Sequence, residues 1–179
     1  MKRFALFITL AMLAIGTVLQ AGPAGPADPV VTDATVNAPA EAVWKAFTTK
    51  AGLEAWLFGK TEIDLKVGGA WLTNYSKTSN LKDDSTIQQV ILAFDPGRML
   101  AFRTVKPPAT FPYPAVTQTW VIVYFEPVSP TKTRILTRMF GFGDDEQGRQ
   151  MRAFFERGNK SEMDKAQKFF ENGVPEVLK

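Results

Sequence analysis

The chain has 179 residues, with 21 basic against 18 acidic side chains, no cysteine and no histidine. Setting Lys2 and Arg3 aside leaves 19 against 18, too even a balance to predict nucleic-acid or anionic-membrane binding from bulk charge. The missing cysteine excludes a disulfide framework, and the missing histidine excludes Ser-His-Asp, Cys-His and histidine-zinc sites, so no catalytic set, cofactor or metal is expected and a binding protein is favoured over a hydrolase.

Lys2 and Arg3 precede an apolar run, Phe4 to Val18, and small residues follow at Ala21, Gly22 and Ala24. This is the pattern of a secretory signal peptide over 1–21, with cleavage near Ala21. The run is shorter than the roughly 18–20 residues that span a bilayer, although an uncleaved anchor is the competing reading. Export implies a periplasmic or secreted protein with no stable membrane span once the signal is removed. Residues 22–29 are a Pro/Gly/Ala spacer that neither a helix nor an interior strand tolerates. One domain is expected over 30–175.

Within it, Val30 to Val36 is β-branched and reads as a strand. Pro39 suits a helix start, Glu41 favours that positive end, and Ala40, Val43, Trp44 and Phe47 share one helical face. A second short helix, about 50–57, carries Leu53, Trp56 and Leu57. Strands are expected over 63–66, 70–76, 86–94, 99–105, 116–125 and 132–140. Gly68-Gly69 marks a bulge or tight turn, and Asp95-Pro96-Gly97 a turn. The proline-rich stretch Lys106 to Pro114 is a loop, on which Phe111 and Tyr113 either cap a cavity mouth or serve structure alone. Asp144, with Gln147 three residues on, resembles a capping box that opens a long C-terminal helix. Its stripe runs Met151, Phe155, Gly158, Glu162, Ala166, Phe169, and Gly173 and Pro175 end it. Consecutive strands joined by short turns favour an antiparallel sheet, so the class is α+β.

Candidate site residues follow from the strand and helix faces. Trp71, Thr73 and Tyr75 alternate on one face and combine apolar area with hydrogen-bonding groups, as small-molecule pockets do. Phe102 belongs to a neighbouring strand. On 116–125 both faces are apolar, so period two alone does not choose between them, and Trp120 and Tyr124 are taken as the inward pair. On the long helix Phe155, Asn159, Glu162 and Met163 face the sheet by spacing. Glu162 is either a polar anchor inside or a residue leaning to solvent at the helix edge. Trp44 and Trp56 fit core packing better than ligand contact. The acidic groups Asp83-Asp84 and Asp144-Asp145-Glu146 lack the alternating oxygen pattern of a calcium loop and read as turn and helix-start residues.

Taken together, Asn37-x-Pro39-x-Glu41-x-Val43-Trp44, then Leu53-x-x-Trp56, then Asp64-x-x-x-Gly68-Gly69, with Pro96 before Leu100 and Phe102, Thr133-Arg134-Ile135 and Gly141-Phe142, resemble the SRPBCC or START-like helix-grip superfamily. The branch is the one named for activators of the Hsp90 ATPase. The resemblance implies a seven-stranded antiparallel sheet curved around the C-terminal helix, with two short helices after the first strand. It also implies a cavity between sheet and helix for a lipid- or polyketide-like hydrophobic molecule. The family has no universal catalytic set to carry over, and an exported member would not meet a cytosolic chaperone. The functional expectation is therefore an exported hydrophobic-ligand binder. The alternatives are a non-catalytic envelope interaction module, which a homodimer through an apolar outer face would suit, and a cyclase- or dehydratase-like enzyme using Glu162 or a tyrosine hydroxyl.

Overall fold

Seven strands form a single antiparallel sheet in the order β1-β7-β6-β5-β4-β3-β2. The computed structural model describes residues 28–179; the signal peptide expected over 1–21 and most of the 22–29 spacer lie outside the described residues. The elements in chain order are β1 (Val30–Val36), α1 (Ala40–Thr48), α2 (Lys50–Trp56), β2 (Lys60–Ile63), β3 (Ala70–Asn74), β4 (Ile87–Asp95), β5 (Met99–Lys106), β6 (Trp120–Ser129), β7 (Lys132–Phe140) and α3 (Glu146–Phe169). This is the expected α+β architecture: a curved sheet gripping a long C-terminal helix.

From β2 to β7 chain-order neighbours pair, through short turns at β4–β5 and β6–β7 and longer connections at β3–β4 and β5–β6, while β1 closes on β7 with Val30 opposite Met139 and Val36 opposite Thr133. That closure places the first and last strands side by side beneath α3. Register shifts in β4, between Gln88 and Gln89 and between Ile91 and Ala93, bend the sheet. The Gly68-Gly69 turn docks on the second of these. Gly68 N donates to Ile91 O at 2.8 Å, and Ile91 N donates to Gly69 O at 3.0 Å. Gly68 sits at φ +79, and a Cβ on Gly69 would lie 1.9 Å from Asp64 O, so both positions require glycine.

The concave face buries Val36, Ile91, Leu100, Val123, Phe125 and Ile135, each at most 3% exposed, against α1, α2 and the C-terminal half of α3 through Val43, Leu53, Met163 and Phe170. Trp44 stands edge-on to Phe125 at 5.6 Å, and Trp56 packs on Phe47 at 4.8 Å while its indole N–H donates to Ala46 O. Both are packing residues, as their helical spacing suggests. A second cluster, with Val30, Val116, Met139, Phe142 and Met151, fills the N-terminal end of α3.

Three local expectations are corrected. The strand expected over 63–66 is Lys60–Ile63, because Asp64 to Gly69 turns on itself through Lys66 N to Asp64 O and Gly69 N to Lys66 O. The cap of α3 is Asp145, whose carboxylate accepts from Gly148 N at 2.7 Å; Asp144 lies one residue outside the helix. Residues 116–118 belong to a 3-10 turn, Pro114–Gln118, and the strand begins only at Trp120. Pro114 opens that turn with its fixed φ, and Thr119 N and Oγ1 both donate to Val116 O, which closes it. The β-branched residues there are recruited by tertiary packing, with Val116 3% exposed in the second cluster.

Candidate functional site

Between the concave face and α3 a cavity of about 350 Å³ remains, within the range of small-molecule pockets. Its floor is Trp71 of β3, Ile87 and Gln89 of β4, Phe102 and Thr104 of β5, Val121 and Val123 of β6, and Thr137 and Met139 of β7. Register explains the set: Trp71 pairs with Gln89, Gln89 with Thr104, Phe102 with Val121 and Val123 with Thr137. Cross-strand partners share a face, so these side chains point the same way. The roof is α3, which presents Phe155, Gly158, Asn159, Glu162 and Met163. Leu53, Leu57 and Phe58 supply one wall, and Phe111 with Pro107 and Pro108 the other.

Most of the lining is apolar, and its few polar groups are disposed unequally. Trp71 is 3% exposed; its indole N–H donates to Thr61 Oγ1 at 3.1 Å, and its ring meets Phe102 edge-on at 4.8 Å. Thr119 and Thr137 spend their hydroxyl protons on backbone carbonyls. Gln89 Oε1 is buried and has no hydrogen-bond partner. Asn159 lies one turn from Glu162 on the cavity side of α3. Tyr75 is 58% exposed as a residue, yet its hydroxyl turns back to donate to Glu162 Oε1 at 3.2 Å. Burial pushes the Glu162 carboxyl above its ordinary value of 4.5, against the opposing influence of the Tyr75 hydrogen bond and of Lys165. The Tyr75 phenol is pushed up as well, chiefly by burial and then by the neighbouring carboxylate.

At the other end an aromatic cluster closes the cavity. Phe111 stands 5.5 Å from Phe154, 6.1 Å from Phe155 and 5.7 Å from Tyr113. Of the two readings of the proline-rich loop, Phe111 therefore has a cavity-closing position, with Tyr113 buttressing it from outside the lining.

Of the sequence-derived candidates, Trp71, Tyr75, Phe102, Phe155, Asn159 and Glu162 come together around this one cavity. Thr73 lies on the same face as Trp71 but is fully buried beside the cavity, where its hydroxyl has no partner. Trp120 and Tyr124 are on the convex face, contrary to expectation. Trp120 stacks on Phe140 at 5.4 Å and 10°, and Tyr124 borders a separate open groove with Trp44 and Arg98. The reason lies in the β6–β7 register, which sets Ile122 opposite Arg138 and Glu126 opposite Arg134. Two guanidinium groups must stay hydrated, so the face they share with Trp120, Ile122 and Tyr124 turns outward and Val121, Val123 and Phe125 turn in. Gln89 and Gly158 were missed as site residues. A lone amide between Ile87 and Ile91 on an inward strand face was the available signal for the first, and a glycine in the middle of a helical apolar stripe for the second. Among the described residues no cluster of acidic side chains could hold a metal ion, and no helix is long and apolar enough to cross a membrane.

A family model described as activator of Hsp90 ATPase homolog 1-like protein matches residues 37–171. No curated protein matches the chain. Among solved structures, protein MLL2253 from Mesorhizobium loti superposes with a TM-score of 0.62 at 20% identity, covering 80% of this chain and 97% of that one. The Aha1 dimer from Colwellia psychrerythraea gives 0.59 at 13% identity, covering 82% and 98%. A norcoclaurine synthase point mutant from Thalictrum, in complex with a transition-state analogue, gives 0.55 at 12% identity, covering 80% and 94%. At these identities the likenesses speak for the fold.

Proposed function

The chain belongs to the family of activator of Hsp90 ATPase homolog 1-like proteins, and from that membership and the cavity we propose that it is an exported binding protein for a small hydrophobic ligand held between the sheet and α3. The observation that carries the reading is that apolar side chains from β3 to β7 face α3 across an unfilled space of about 350 Å³. Natural cores are close-packed, so a cavity of this size kept beside a tightly packed half is a feature with a use. An apolar guest would gain roughly 25 cal/mol for each Å² it buries. Export rests on the positive start, the apolar run and the small residues near Ala21. A solved relative in complex with a transition-state analogue supports the view that this fold accommodates small molecules at a defined site.

Native mass spectrometry of the mature protein, exported from a cell and purified gently, tests the reading. The expected result is an added mass released by organic solvent, or uptake of an apolar fluorescent probe by the stripped protein. A bare mass together with no response to the probe overturns it.

The convex face favours a second reading, self-association. Trp120, Ile122, Tyr124, Leu136 and Phe140 are only partly covered there, and a solved relative is a dimer. Light scattering at a mass of two chains, reduced to one by Trp120→Asp, is the expected outcome for that reading. A monomer at high concentration removes it.

A further inference from the structure

A single carboxylate, Glu162, lines the otherwise mostly apolar cavity on the α3 side. Tyr75, which follows the end of β3, holds Glu162 by donating its only proton to it. Next along β3 on the inward face comes Thr73, paired with Ile87, and one inward position along β4 from Ile87 is Gln89. Gln89 offers a buried amide oxygen with no partner. Among the described residues no salt bridge reaches the Glu162 carboxylate, and its one side-chain donor is the neutral Tyr75 phenol. A buried acceptor left unpaired is costly until a donor arrives, and the half-buried Glu162 carboxylate keeps acceptor sites beyond the one that Tyr75 fills. The rest of the lining is aromatic and aliphatic.

Resting on the cavity reading above, we propose that the ligand class is a compact hydrophobic amine, whose ammonium pairs with Glu162 on the α3 side of the cavity and whose apolar body lies on Trp71, Phe102 and Phe155. An ammonium supplies three donors and the charge opposite to the half-buried Glu162 carboxylate, on which Lys165 acts without forming an ion pair. A cation beside Glu162 favours its charged form and so opposes the desolvation that raises its carboxyl. Arg103 also borders the cavity but is exposed to water, where its charge is screened. A cavity of about 350 Å³ sets the size at a one- or two-ring body rather than a long acyl chain.

Three matched probes test this: 2-(1-naphthyl)ethylamine, 2-(1-naphthyl)ethanol and 1-naphthylacetic acid, titrated calorimetrically at pH 7 into the full mature protein stripped of any native guest. The amine is expected to bind at least tenfold more tightly than the acid, with the alcohol between them. Glu162→Gln should bring the amine down to the level of the alcohol and leave the alcohol within threefold of its original affinity. Equal binding of all three probes, or tightest binding of the acid, overturns the amine assignment and leaves the cavity reading standing; acid preference would assign the pole to Arg103. Binding of none of the three overturns both. The preference order in the wild-type protein decides the matter even if a variant fails to fold.

Discussion

Replacing Gly158 in a series, by Ala, Met and Leu, separates a cavity kept for a guest from one that merely survives packing. Gly158 sits in the middle of the 24-residue α3, where glycine costs about 1 kcal/mol relative to alanine. A Cβ built there meets nothing within 4 Å, and the residue borders the cavity. The methyl of Gly158→Ala therefore enters open space, and the variant should gain about 1 kcal/mol, a rise of roughly 2–4 °C in Tm for a domain of this size. Longer side chains add apolar burial, so Met and Leu should match or exceed Ala by up to about 2 kcal/mol. Along the same series the volume left for a guest shrinks, and affinity for an apolar naphthyl probe should fall stepwise, by tenfold or more at Leu. Urea unfolding gives the first quantity and probe titration the second. The signature is opposition, with stability rising as binding falls. If stability instead drops by the roughly 1–3 kcal/mol typical of overpacking, the space above Gly158 is already filled and the reasoning fails. If binding is unchanged while stability rises, the guest does not use this part of the cavity.

Three further outcomes are expected. Because burial raises the folded-state pKa of Glu162 above 4.5, the folded chain holds this proton more tightly than the unfolded chain, so its contribution to stability is lost as pH rises from 4.5 through the folded value. Urea midpoints from pH 4 to 8 should show Glu162→Gln gaining on the wild type across that window, and a gap independent of pH would contradict the burial. Trp71→Ala should cost about 3–5 kcal/mol and abolish probe binding, since Trp71 is 3% exposed and part of the floor. Trp120→Ala, on the convex face, should leave probe affinity within threefold, and the two variants behaving alike would refute the assignment of faces. Asp145→Ala should lower thermal stability by about 0.5–2 kcal/mol through loss of the α3 cap, whereas Asp144→Ala should be close to neutral in the same melt.

Much of this molecule was legible in its chain. Turn formers at Asp95-Pro96-Gly97 and Gly68-Gly69, β-branched runs between them, and the apolar stripe from Met151 to Phe169 carry local rules, so element order, fold class and the packing roles of Trp44 and Trp56 could be read from residue type and spacing. Boundaries were less legible. Val116 to Gln118 has strand-forming residues but is a 3-10 turn, because Pro114 and Thr119 fix the backbone there.

The faces of β6 were decided by tertiary structure. Trp120-Ile122-Tyr124 and Val121-Val123-Phe125 are equally apolar as strings, and only the pairing with Arg134 and Arg138 on β7 sends the first set outward. The same holds for the cavity. Periodicity placed Phe155, Asn159 and Glu162 on the sheet side of α3, but an unfilled volume depends on how far the β4 bulges bend the sheet away from the helix, and on Gly158 contributing no side chain to fill it. A one-dimensional pattern records which side chains face a neighbour. The distance across which they face it is set by the curvature of the whole sheet, so the sequence determined the lining of the site while the tertiary structure determined that there is a site to line.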